Sequence, residues 1–188
     1  MRVILFLLLM VYLTSCDPPY IEDNPYLPTK QSLANDVRNK TFVQLKMEKE
    51  LYPCGVGSAM MDQIKILALS FDYYKAVDMG QARELLMAAG TLFLHTINSN
   101  EQIRPYLENY PFRPENIEIA IFLKKPDGSK PDPDKLTVIS MTNGVLRYKV
   151  DHPETECLIT IYEENFDEAA AKLGIAVGLS PIEKGKLQ

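Results

Sequence analysis

Apolar residues recur every three or four positions between residues 79 and 97, where Ala82, Leu85, Leu86, Ala89, Leu92, Phe93 and Ile97 fall on one side of a helix. Asp78 stands in front of this run as a cap, and Asn98-Ser99-Asn100 ends it. A weaker amphipathic stretch from Ser32 to Leu51 carries Leu33, Val37, Val43, Leu45 and Leu51 among polar residues and predicts an earlier helix. Pro53-Cys54-Gly55-Val56-Gly57 stops it. The run from Gln63 to Tyr74 suits a buried strand or a buried helix by period alone. A strand is preferred, because Asp78 then opens the next helix.

After residue 116 the period falls to two. Ile117, Ile119, Ile121 and Leu123 share one face of a strand, and Glu118, Ala120, Phe122 and Lys124 share the other. A polar loop from Pro126 to Lys135 leads to the next strand. Asn143-Gly144 then predicts a type I′ hairpin, whose two central residues both need positive φ. Folding about that turn sets Met141 against Leu146, Ile139 against Tyr148 and Thr137 against Val150. It places Ser140 against Arg147 and Val138 against Lys149 on a more polar face. Cys157 to Glu163 reads as a further strand, and Asn165 caps a last helix that runs through Leu173 to Gly174. Helices first and strands afterwards predict a single α+β domain over residues 31–174, followed by a tail over 175–188. The expected architecture is an antiparallel sheet of four or five strands with helices on one face.

The chain opens on a different pattern. Val3 to Leu13 is an unbroken apolar run behind Arg2. It is shorter than the ~20 residues a membrane-spanning helix needs, and its order is that of a secretory signal peptide. It ends at Leu13-Thr14-Ser15-Cys16, which resembles the lipobox of bacterial lipoproteins. The resemblance implies removal of residues 1–15, a diacylglyceryl group on the Cys16 thiol, and the membrane as a partner through that lipid anchor. Two or more acyl chains suffice for stable anchoring. It implies an extracytoplasmic place in the cell envelope, and Asp17 favours the inner membrane over the outer. Residues 16–30 then form a tether, since Pro18, Pro19, Pro25 and Pro28 exclude a helix or a central strand. At about 3.1 Å per extended residue, Asp17 to Lys30 reaches on the order of 40 Å.

Charge and chemistry narrow the reading. With 20 Lys+Arg against 25 Asp+Glu, the net charge of −5 argues against a nucleic-acid partner. Gly55-Val56-Gly57-Ser58 lacks the third glycine and the lysine of a phosphate loop, so no cofactor is expected. The Asp127, Asp132 and Asp134 loop lacks EF-hand spacing, and His95 has no ligand one helical turn away, so no metal is expected. Once Cys16 is lipidated, Cys54 and Cys157 remain for one possible disulfide, worth about 4 kcal/mol in chain entropy. Two separate thiols are the alternative. Arg104, Tyr106, Tyr110 and Phe112 have the composition of a binding patch, although core packing at the helix–sheet joint explains them too and is preferred. The leading expectation is a lipid-anchored binding or assembly factor with an envelope protein as partner. The alternatives are an envelope hydrolase using His152 with a nearby carboxylate, and a purely structural envelope component.

Overall fold

The computed structural model describes residues 28–155 and 157–175. The signal peptide, Cys16, the tether as far as residue 27 and the tail beyond residue 175 lie outside the described residues. Helix α1 (Lys30–Lys49) starts at Thr29, whose side chain accepts the Ser32 N–H. Strands β1 (Tyr52–Met60) and β2 (Ile64–Tyr73) form a hairpin, followed by helix α2 (Met79–Asn98). Strands β3 (Ile117–Leu123), β4 (Leu136–Thr142), β5 (Val145–Asp151) and β6 (Leu158–Asn165) and helix α3 (Phe166–Lys172) complete the chain. The strands lie in the order β1-β2-β3-β4-β5-β6 in one sheet.

The domain is α+β, but two features of the expected sheet are corrected. It has six strands rather than four or five. It is also mixed, because β2 and β3 run parallel while every other neighbouring pair is antiparallel. The extra strand is β1. The helix ends at Lys49, ahead of Pro53-Cys54-Gly55 rather than at it, and that segment runs extended along the sheet edge, where a proline costs little in lost pairing. The parallel pair follows from α2, a crossover long enough to return the chain to the same end of the sheet.

Local signals otherwise held. Asp78 and Gln81 form a reciprocal capping box, with Gln81 N–H to Asp78 Oδ1 at 2.8 Å and Asp78 N–H to Gln81 Oε1 at 3.0 Å. Asn143 and Gly144 have φ of 52° and 70°, as the hairpin turn requires. Met141 pairs Leu146, Ile139 pairs Tyr148, Ser140 pairs Arg147 and Val138 pairs Lys149. The expected Thr137–Val150 pair is replaced by Leu136–Val150, because the register shifts between Leu136 and Val138.

The core lies between α2 and one face of the sheet, built from Leu86, Ala89 and Phe93 against Leu69, Phe71, Ile119, Ile121, Ile139 and Met141. Gly90 lets the helix come close: a Cβ there would stand 2.7 Å from Met141 Cε. Two charges are buried with the core. Glu164 is 3% exposed and accepts from Arg83 Nε at 2.7 Å, Tyr148 OH at 2.6 Å and Lys172 Nζ at 2.6 Å. Burial pushes its carboxyl upward, but the donors Arg83, Lys172 and Tyr148 together outweigh burial and hold it below its ordinary value. Arg38, 2% exposed, donates to Asn35 Oδ1 and to the Gly57 carbonyl, while its Nε has no partner. Burial lowers its pKa.

Two consequences are measurable. Gly90→Leu drives side-chain atoms into Met141 and is expected to cost about 2 to 3 kcal/mol in denaturant unfolding. Glu164 remains ionised in the fold below pH 4.5, where the unfolded chain already takes up its proton. Its contribution is therefore complete above that pH and is lost as pH falls through the folded value. Glu164→Gln is expected to lower the unfolding free energy at neutral pH by about 3 kcal/mol. Stability curves of parent and variant should converge in acid; curves that stay parallel would mean that other groups set the acid limb.

Candidate binding site

Helix α1 does not end on a glycine. Glu50 takes the left-handed conformation that closes it, with φ 56° and ψ 32°. The Leu51 N–H returns to the Leu45 carbonyl, and the Leu51 side chain is buried in the core. That reversal delivers Tyr52 to the start of β1, beside the place where β2 ends at Tyr73 and is followed by Tyr74 and Lys75. The hairpin register pairs Tyr52 with Asp72, so tyrosines far apart in sequence meet at one end of the sheet.

Glu50, Tyr52, Tyr73, Tyr74, Lys75 and Pro126 line an open cavity of about 330 Å³ there. The Tyr52 and Tyr74 rings stand nearly at right angles, at 72° with centroids 5.5 Å apart. Lys46 Nζ lies 5.6 Å from the Tyr52 centroid and Lys124 Nζ 5.9 Å from that of Tyr74. Lys75 is paired with Glu50 across the cavity, and Lys124 binds Asp72 Oδ2 at 2.8 Å. Hydrogen bonds from these ammonium groups to their carboxylates raise both lysine pKa values, so both ammonium groups stay charged at neutral pH. Two larger depressions of about 680 and 590 Å³ lie on helix surfaces, along α1 and along α2, without such an angled aromatic wall.

The sequence-predicted residues are scattered. Phe112 is fully buried, and its N–H and carbonyl are both held by the Asn98 side chain. Arg104 stacks on Tyr110 at 4.4 Å, and Tyr110 OH donates to the Asn98 carbonyl at 3.3 Å, so these two form a surface pair next to exposed Tyr106. His152 Nδ1 accepts the Glu154 N–H at 3.1 Å, which fixes the turn between β5 and β6. Among the described residues no group of His, Cys, Asp and Glu is arranged to hold a metal ion. Sequence reasoning missed the tyrosine pocket because the Tyr52 strand was not recognised. Aromatic residues at the two open ends of one hairpin would have been the signal.

Cys54 and Cys157 are free and exposed. They lie on the strand β1 and at the foot of the strand β6, the two opposite edges of the sheet. Five steps of about 4.8 Å separate those edges, whereas bridged cysteines need Cα atoms within about 7 Å. Burial, then the charge of Asp72, pushes the Cys54 thiol up, with Lys124 opposing. Both cysteines are therefore expected to react with maleimide in protein purified without reductant. The Cys54 reaction should reach half its full rate above pH 9.0, and Asp72→Asn should bring that pH down. Mass-mapped labelling against pH measures both, and a blocked pair of thiols would contradict this arrangement.

The chain has no significant match to any protein-family model, curated protein or solved structure.

Proposed function

We propose that this protein is a lipid-anchored, extracytoplasmic binding protein of a bacterial cell envelope. The observation that carries the binding half of this reading is the tyrosine-walled cavity, whose lining combines apolar ring faces with the Lys75 donor and Glu50 acceptor held in one ion pair. The anchoring half rests on the apolar run and Leu13-Thr14-Ser15-Cys16, followed by a proline-rich tether. No helix among the described residues is long and apolar enough to cross a membrane, so on this reading attachment falls to the lipid on Cys16. An assembly partner has a second place to dock in the exposed aliphatic side chains of Leu158, Ile159 and Ile161 on the edge strand β6.

Mass spectrometry of the mature N-terminus tests the anchoring. The expected product begins at Cys16 and carries acyl groups, and Cys16→Ser should leave an unlipidated precursor. A mature N-terminus elsewhere, or an unmodified Cys16, would refute the anchor.

A further inference from the structure

We propose that the pocket formed by Tyr52, Tyr73 and Tyr74 binds a neutral saccharide of one or two rings. The inference rests on the reading of this chain as a binding protein and names the ligand class of that same cavity. Its volume, about 330 Å³, lies at the small end of the ~300–1,000 Å³ typical of small-molecule sites, which fits one or two rings better than a polymer.

The charges select a neutral ligand. The charged residues that line the cavity, Glu50 and Lys75, pair with each other, so the lining itself offers neither a spare positive charge for an anion nor a spare negative charge for a cation. Aromatic walls by themselves would also suit a quaternary ammonium group. Here, however, Lys46 and Lys124 already lie within cation–π distance of Tyr52 and Tyr74, and Lys75 lines the cavity, so a further cation would meet three ammonium groups. A pyranose meets the opposite conditions. Its C–H faces pack against tyrosine rings, and its rim hydroxyls both donate and accept, matching the carboxylate of Glu50 and the ammonium of Lys75.

The backbone supplies an independent argument. Glu50 holds a positive φ at a helix terminus where glycine is the favoured residue, and its exposed side chain pairs with Lys75 across the pocket. Its side chain is spent on the pocket. Replacing it with glycine should thus improve the fold while damaging the site.

The test is saturation-transfer NMR and calorimetric titration on the purified full-length chain. The probes are glucose, galactose, mannose, N-acetylglucosamine, maltose, cellobiose and chitobiose, with tetramethylammonium and inorganic phosphate alongside. At least one saccharide is expected to bind, Tyr52→Ala is expected to weaken it about tenfold or more, and Glu50→Gly to weaken it similarly while raising the melting temperature. A more stable variant with weaker binding excludes misfolding as the cause. The proposal is overturned if no saccharide on the panel binds, if tetramethylammonium or phosphate binds in their place, or if the two variants keep full affinity. Saccharide binding with an unmodified Cys16 would support this assignment and refute only the anchor.

Discussion

The seating of α2 governs the architecture. Its apolar stripe is continuous over five turns, and at Gly90 the helix faces the end of the Met141 side chain, whose methyl group would have to move to admit a Cβ. An element this tightly seated must begin and end where the strands on either side of it permit. Leaving β2 at one end and returning from the other, the chain re-enters the sheet as β3 beside β2 and parallel to it. The later strands add outward from β3 in antiparallel order, while α1 and α3 both pack against α2. One sheet face is covered by helices as a result, and the other carries Ala68, Ser70, Ala120 and Ser140, all partly exposed.

Two buried charges show how differently the fold treats its edges. Glu164 sits on edge strand β6 and is satisfied by donors from α2, β5 and α3, so that one carboxylate ties four elements together. An inward-pointing charge on an edge strand also penalises any register slip, because the slip would leave it buried without partners. Arg38 guards the opposite edge in a poorer way. Its guanidinium holds the Gly57 carbonyl of β1 with only neutral acceptors around it, an arrangement that favours specificity of pairing over stability. The proline and register shifts of β1 act in the same direction.

What could be read from the sequence was what local chemistry determines. The α2 stripe with its Asp78 cap, the Asn143-Gly144 turn and most of the hairpin register each depend on residues close together in the chain, and these emerged as expected. The parallel pairing of β2 and β3 depends on where a whole helix docks, which no period encodes. Strand β1 was hidden because Pro53, Gly55 and Gly57 are breakers everywhere except at an edge, and edge position is a tertiary property. The pocket was lost with that strand. Tyr52 and Tyr74 meet only through the β1–β2 register, whereas Arg104 and Tyr110 are near in sequence and their pairing is local. Phe112 shows the limit of composition: its backbone is clamped by Asn98 and its ring belongs to the core.

The placement of the pocket along α1 links the two halves of the proposed function. The described chain enters α1 beside the β1–β2 turn, where the Lys30 ammonium reaches the carbonyls of Met61 and Asp62. The helix then runs 20 residues before Glu50 closes it, and at 1.5 Å per residue that is about 30 Å. The tyrosine pocket therefore stands at the opposite end of α1 from the point where the described chain begins. On the proposed anchoring at Cys16, the chain comes from the membrane into the start of α1, so the length of that helix separates the entry point from the pocket. Leu33, Val37 and Leu45, buried in the core, fix α1 in place. A hydroxyl-rich ligand of the kind proposed would therefore meet a pocket set apart from the point where the chain enters the domain.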